Sequence, residues 1–156
     1  MIVDTFDSPL GKMRLCCDDT YLTAVTFPGQ QHEEKHIPQD SVLGTHPVLE
    51  QTKVWLFQYF NGKNPDFLPP IRLAGTNFQK RVWGLLLEIP YGETITYGEL
   101  ARKLGCKSAQ AVGGAVERNP ISILIPCHRV VGANSTLTGY AGGVEKKEFL
   151  LKLEKS

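Results

Sequence analysis

The chain has 156 residues, with 17 Lys and Arg against 16 Asp and Glu, a formal net charge of +1. Hydrophobic residues at 42% and charged residues at 21% exclude wholesale disorder. The longest apolar runs, Trp83–Leu87 and Ile121–Ile125, are far too short to span a bilayer. The near-neutral total hides an asymmetry. Residues 1–75 hold 6 basic and 9 acidic side chains, a balance of −3, whereas residues 76–156 hold 11 basic and 7 acidic, a balance of +4. A basic half suggests a polyanionic partner, although such an excess is also common on a solvated surface.

The N-terminus, Met1 to Lys12, lacks a basic segment followed by a continuous apolar one, so no signal peptide is expected. Four cysteines, Cys16, Cys17, Cys106 and Cys127, do not form a disulfide framework in a chain this long, and a bond between the adjacent Cys16 and Cys17 would be strained. Free thiols and a cytoplasmic location are expected.

In chain order, Met1–Phe6, Lys12–Cys17 and Tyr21–Phe27 have strand-like composition and are separated by turn residues, predicting an antiparallel meander. Pro28–Gly44 is polar and punctuated by Pro and Gly, predicting a loop. Val48–Phe60 has helical period, with Val48, Leu49, Thr52, Trp55, Leu56 and Tyr59 on one stripe. Asn61–Gly75 is the linker candidate, dividing the chain into domains 1–75 and 76–156.

The second half opens on Thr76-Asn77-Phe78-Gln79, a capping box for a helix whose apolar face is Phe78, Val82, Leu85, Leu86 and Ile89. Thr96-Tyr97-Gly98-Glu99 is a second capping box, for a helix that stops at Gly105. Ser108 caps a third helix running to about Arg118, ended by Asn119-Pro120. The last two make a helix-turn-helix pattern. Gly113 and Gly114 cost roughly 1 kcal/mol each inside a helix, so close approach of a neighbour or a nucleic-acid groove is expected to offset them. Ile121–Ile125 predicts a buried strand leading into Pro126-Cys127-His128-Arg129, then a Gly-bearing loop and a final helix, Val144–Glu154.

Cys127 is the candidate nucleophile, because it lies where a rigid segment gives way to a loop and has His128 and Arg129 beside it. The alternative is a buried inert thiol. Neighbours on an extended chain point to opposite faces, so contact with His128 requires the backbone to turn or a water to bridge. Glu154 opposes the dipole of the last helix, which an imidazole partner would explain; otherwise it is a solvated terminal carboxylate. Gln110, Lys107, Arg118, Lys103 and Arg102 either meet phosphates or form a solvated face. His32-Glu33-Glu34-Lys35-His36 matches a zinc-protease pattern but lacks apolar helical flanks, so a polar loop and no metal are expected.

Ile125-Pro126-Cys127-His128-Arg129-Val130 resembles the active-site signature of the methylated-DNA–protein-cysteine methyltransferases, the 6-O-alkylguanine-DNA alkyltransferases. Phe78–Trp83, Ile89–Thr94, Thr96-Tyr97, Ala111–Ala115, Asn119-Pro120, Gly139–Gly143 and Lys147–Leu151 are also similar to that family. The match is close over residues 76–154 and loose over residues 1–75.

The resemblance implies an α+β protein: a small ribonuclease H-like sheet-plus-helix domain, then a mainly helical domain with a helix-turn-helix and the active cysteine. It implies direct, single-turnover repair of 6-O-methylguanine, or 4-O-methylthymine, after the base is flipped out of the duplex. Double-stranded DNA would be bound through the minor groove without sequence preference by a monomer, with no cofactor or metal. Cys127 would be the nucleophile, with His128 acting through water and oriented by Glu154. Asn119 would hold the turn before the active-site segment, and Tyr97 would bond a ring nitrogen. Tyr140 and the Ala141 N–H would face the 6-oxygen, and the Val130 carbonyl would accept from the exocyclic amine. Ala109, Gln110, Ala111, Gly113, Gly114, Lys107 and Arg118 would meet DNA. A non-catalytic damage sensor or a helix-turn-helix DNA-binding protein is the alternative, and the presence of Cys127 disfavours the first.

At one position the chain departs from the pattern. The best-known members carry Arg directly before Ala-Val-Gly, where this chain has Gln110. Glutamine fills space without charge, so Gln110→Arg should tighten duplex binding and steepen its dependence on salt concentration, measured by fluorescence anisotropy across a salt series. An unchanged affinity and slope would refute this reading.

Overall fold

The computed structural model describes residues 1–156 and divides into two compact units. Met1–Leu73 with Pro120–Ser122 form the first; Ala74–Asn119 with Ile123–Ser156 form the second. The division therefore differs from a single cut near residue 75, since the short segment Pro120–Ser122 lies with the first unit.

In the first unit, β1 (Ile2–Ser8), β2 (Gly11–Cys17) and β3 (Leu22–Thr26) form the antiparallel meander. A two-residue β4 (Val42–Leu43) pairs in parallel with β1, giving the order β3-β2-β1-β4. The turn chemistry is local: Gly11 takes φ 112 in the β1–β2 hairpin, and Asp18 Oδ1 accepts from the N–H groups of Thr20 and Tyr21 before β3. A register shift at Cys16/Cys17 interrupts the β2–β3 pairing, and both thiols are buried. Desolvation pushes the Cys17 thiol up to about 11, with the charges of Cys16 and Asp18 acting the same way.

The polar segment expected to be a loop contains β4 and a single helical turn, α1 (Glu33–His36). Helix α2 (Pro47–Phe60) begins with proline in its first turn, its N–H at Val48 capped by His46 Nδ1 at 3.1 Å. The stripe read from the sequence is the buried one, and α2 packs across β1, β2 and β3. Pro120–Ser122 lies along β3: the Val25 N–H donates to the Pro120 carbonyl (2.9 Å) and the Ser122 N–H to the Val25 carbonyl (3.0 Å).

The second unit is built on α3 (Asn77–Leu86), α4 (Tyr97–Leu104) and α5 (Ala109–Glu117), which pack mutually. Both capping boxes form, at Thr76/Gln79 and Thr96/Glu99. Helix α3 ends at Leu86, so Ile89 reaches the core from a turn. Gly105, at φ 65, terminates α4, and the Ser108 hydroxyl accepts from the Ala111 N–H at 3.1 Å to start α5. Trp83, nearly fully buried on α3, donates Nε1–H to the Ala115 carbonyl of α5 (2.9 Å), fixing the two helices side by side. A short parallel pair joins β5 (Ile95–Thr96) to β6 (Val130–Val131), which brings the start of α4 beside the end of the Cys-His-Arg segment. Helix α6 (Val144–Lys155) packs on that segment.

Ile121–Ile125 is not the strand that composition suggested. Ile121 makes an isolated bridge to Val25 of β3, and Ile123 adopts φ 72, the left-handed region that costs a β-branched residue roughly 1–2 kcal/mol. The backbone therefore doubles back before Pro126. No helix is long and apolar enough to cross a membrane.

Replacing Trp83 by Phe should keep most of the packing but leave the buried Ala115 carbonyl without its side-chain donor. The expected loss is about 1–3 kcal/mol, read as a lower midpoint in urea unfolding.

Candidate active site

Cys127 opens a one-turn 3-10 helix, Cys127–Arg129. The backbone turns here, which removes the extended geometry that would have sent Cys127 and His128 to opposite faces. Two devices produce this turn: the left-handed Ile123, and Asn119, whose buried amide donates to the Ile125 carbonyl at 2.7 Å across the intervening residues. Asn119 also hydrogen-bonds the Cys127 thiol.

Behind the cysteine is a buried ionic cluster. Arg129 Nε and Nη2 donate to the two oxygens of Glu154, at 2.9 and 3.1 Å, and Nη1 donates to the Ile89 carbonyl at 2.7 Å. The Gly92 N–H donates to Glu154 Oε1 at 3.0 Å, and His128 Nε2 lies 2.5 Å from Oε2. A carboxylate paired in this bidentate way with a guanidinium only accepts, so His128 must carry its proton on Nε2, which leaves Nδ1 as its basic nitrogen. Burial lowers the His128 pKa, and the nearby Arg129 and Lys147 charges act in the same direction; the Glu154 carboxylate opposes them without reversing the shift. His128 is therefore held as the neutral imidazole.

The Cys127 thiol is itself pushed up to about 11 by desolvation. Acting against burial are the Asn119 hydrogen bond, the Lys147 ammonium, and the backbone N–H groups of Cys127 and His128. The resting site thus holds a thiol, and ionisation has to come with reaction.

Tyr97, the first residue of α4, points its hydroxyl at the Thr138 and Gly139 carbonyls, 3.3 and 3.2 Å away. Desolvation, then the Cys127 and Glu117 charges, push it up to about 12, so it is a hydrogen-bond donor at all ordinary pH values. Beside it opens a cleft of about 370 Å³ lined by Tyr97, Ala109, Gln110, Gly113, Glu117 and the 138–139 backbone. Gly139 is required there. It adopts φ 55, and a Cβ would lie 2.8 Å from Glu117 Oε1.

Residues 77–156 match the family model of the 6-O-methylguanine DNA methyltransferase DNA binding domain, and residues 1–73 match that of its ribonuclease-like domain. The chain belongs to the 6-O-methylguanine DNA methyltransferase family. It is 47% identical over 152 residues to the methylated-DNA–protein-cysteine methyltransferase of Methanosarcina acetivorans, spanning 97% of this chain and 96% of that one. It is 44% identical over 154 residues to the Haemophilus influenzae protein of the same name, spanning 96% and 84%. Its fold is similar to that of Mycobacterium tuberculosis OGT in complex with DNA, with a TM-score of 0.89, 41% identity and coverage of 99% and 93%.

Of the residues singled out in the sequence, this methyltransferase fold brings Cys127, His128, Glu154 and Asn119 together, with Tyr97 close enough to feel the Cys127 charge. Val130 is buried directly after the 3-10 turn, while Tyr140 and Ala141 are half-buried in the loop before α6. Ala109, Gln110, Ala111, Lys107 and Arg118 are exposed, with Gly113 and Gly114 half-buried. The two glycines differ. Gly114 makes room for Arg118, whose Nη1 folds back onto the Gly114 carbonyl at 3.2 Å. A Cβ at Gly113 would meet nothing closer than 3.9 Å, so internal packing does not demand glycine there.

Lys147 was not among the residues assigned a role from the sequence, and Arg129 was read only as a charge beside Cys127. Arg129 is the principal partner of Glu154. Lys147 is fully buried on α6 and shares a face with Leu150 and Glu154, a spacing of three and seven residues that the sequence does display.

A pH dependence follows from the neutral His128. Its ordinary value is 6.5, and folding lowers it. Below 6.5 the unfolded chain binds a proton that the folded site refuses, so the His128 contribution to stability starts to fall away at that value and is lost progressively toward the lower value of the folded state. Urea unfolding of the wild type should therefore lose more stability between about pH 7.5 and 5 than His128→Gln does. Equal losses would show that His128 charges freely in the folded state.

Proposed function

We propose that this protein repairs DNA by direct reversal, acting as a methylated-DNA–protein-cysteine methyltransferase that moves the alkyl group of 6-O-methylguanine, or 4-O-methylthymine, to Cys127. The observation that carries the reading is a buried thiol on a turn whose next residue is a neutral imidazole bonded to a fixed carboxylate, in a chain belonging to this family along both halves. An activated cysteine with an oriented base is the arrangement that nucleophilic transfer needs.

The thiol proton passes by way of water to His128 Nδ1, and Glu154 stabilises the resulting imidazolium. The Sγ lone pair forms a bond to the methyl carbon as the carbon–oxygen bond breaks, its electron pair passing into the purine. Tyr97, kept protonated, hydrogen-bonds a ring nitrogen where that charge appears, and the thiol proton held by His128 passes back through water to the ring, completing neutral guanine and restoring the neutral imidazole. The Ala141 N–H and Tyr140 face the 6-oxygen, and the Cys127 and Val130 carbonyls accept from the exocyclic amine. The product is S-methylcysteine with no second acceptor, so each molecule acts once.

Helix α5 supplies the DNA contact. Its exposed Ala109, Gln110 and Ala111 and the unfilled space at Gly113 form a small-residue ridge suited to the narrow minor groove. Lys107 and Arg118 flank it for phosphates. Gln110 occupies the stack when the target base leaves it for the cleft beside Tyr97. The protein works as a monomer in the cytoplasm, where its four free cysteines remain reduced.

Incubation with a duplex bearing 6-O-methylguanine should add one methyl group to Cys127, seen by peptide mass spectrometry, with one equivalent consumed per protein. Cys127→Ala should bind the duplex without transfer, and Glu154→Gln should transfer on the order of a hundred-fold or more slowly at neutral pH. Continued turnover, or methylation at another residue, would overturn the assignment.

A further inference from the structure

One group on the outward face of α5 has no task in the DNA contact. Ala109, Gln110, Gly113 and Glu117 recur at three- and four-residue spacing and line the cleft beside Tyr97, while Val112, Ala115 and Val116 are buried on the other side of the helix. Glu117 therefore projects into the same cleft as Gln110. Local stability gives no reason for a carboxylate there. It is half-buried, forms no hydrogen bond, and ends α5, where its charge opposes the helix dipole. It is nevertheless confined. Its Oε1 packs so closely on Gly139 that a Cβ there would lie 2.8 Å away. The Tyr97 hydroxyl, which feels the Glu117 charge, is committed to the Thr138 and Gly139 carbonyls instead. Gly113 leaves the space between Gln110 and Glu117 open.

A carboxylate on a helix that enters the minor groove meets mostly repulsion. Phosphates are anionic, and A·T pairs present only acceptors there, adenine N3 and thymine O2. The one donor on the base edges of this groove is the 2-amino group of guanine. We propose that Glu117 reads guanine in the pairs beside the lesion, its carboxylate accepting from the 2-amino group, so that lesions in G·C surroundings are repaired ahead of lesions in A·T surroundings. The proposal rests on the reading of α5 as the minor-groove helix.

The reach of the side chain follows from helix geometry. Seven residues separate Gln110 from Glu117, about 10 Å along a helix axis. Base pairs are spaced about 3.4 Å apart, so the carboxylate falls within roughly three pairs of the position that Gln110 fills. Beside guanine it gains a hydrogen bond to a charged group. Beside A·T it is desolvated against acceptors and gains nothing. The contact that repair makes at any sequence thus carries a bias, set by one side chain.

The test uses the full chain and inosine, which pairs with cytosine but lacks the 2-amino group. Two 6-O-methylguanine duplexes compete for a limiting amount of protein. They are identical except that the three pairs on each side of the lesion are G·C in one and I·C in the other. The fraction of each that is demethylated gives the ratio of their kcat/KM values. The wild type should favour the G·C duplex by at least about five-fold. Glu117→Ala should bring the ratio to one or below, because I·C pairs are the weaker and open more readily. Glu117→Gln, whose amide both accepts and donates, should fall between. A wild-type ratio of one or less overturns the proposal. So does a ratio that Glu117→Ala leaves unchanged while both duplexes bind more tightly, the result expected of a carboxylate that only repels phosphates. If Glu117→Ala does not fold, the wild type and Glu117→Gln decide by the same ratio. A wild type that takes no methyl group from either duplex refutes the repair reading separately. The same two duplexes without the lesion, titrated by fluorescence anisotropy, then decide the Glu117 question: tighter binding to G·C supports it, and equal binding or none overturns it.

Discussion

The Glu154 carboxylate is the contact on which the site depends. It is buried at the end of α6 and accepts from three residues on two other pieces of chain: Arg129 and His128 of the 3-10 turn, and the Gly92 N–H of the turn after α3. A charge that deep is tolerable only when each oxygen is satisfied, and here each has two donors. The same pairing settles chemistry and structure together. Arg129 keeps the carboxylate ionised, the carboxylate fixes the imidazole tautomer, and the Arg129 bond to the Ile89 carbonyl anchors the turn that presents Cys127. Removing any one of these groups strands the others, which couples stability and reactivity at this site.

The turn itself is a second constraint, and it works against local preference. Ile123 is β-branched, buried and left-handed, a conformation it would not hold alone. The Asn119 amide holds the turn by bonding the Ile125 carbonyl, while Pro120 and Ser122 are occupied by β3 through the hydrogen bonds of Val25. Asn119 then has one further task, its bond to the Cys127 thiol. One side chain thus shapes the backbone approach to Cys127 and moderates the cost of its ionisation.

Much of this was legible residue by residue where the signal is local. Both capping boxes, the Gly105 stop and the Ser108 start are short-range chemistry and appear in the structure where the sequence puts them. The buried stripe of α2 was equally plain, because a 3.6-residue period needs no partner to be read. What failed was non-local. Ile121–Ile125 has the composition of a strand, but its path is set by Asn119 and by pairing with a distant edge, so a run of isoleucines encodes a turn. The parallel pairing of β5 and β6 joins two residues to two others across 35 positions, and two-residue strands have no periodicity to detect. Cys127, His128 and Glu154 could be singled out from residue chemistry and family resemblance, whereas the geometry that brings them together could not.

Lys147 and Arg129 explain why the charge split was a blunt guide. The second half carries 11 basic side chains, but two of them are buried, one bound to Glu154 and one beside Cys127. Neither reaches a phosphate on the surface. The acidic count falls by one for the same reason, since Glu154 is also inside, leaving nine basic against six acidic side chains outside the buried cluster. The outward excess is thus about +3, and Gln110 adds nothing to it at the exposed start of α5. Charge in this half is divided between two purposes. A modest outer part faces solvent, where a polyanion can reach it, while an inner part of two cations and one carboxylate acts on the protonation of a cysteine and a histidine. Sequence counts merge the two, and only burial separates them.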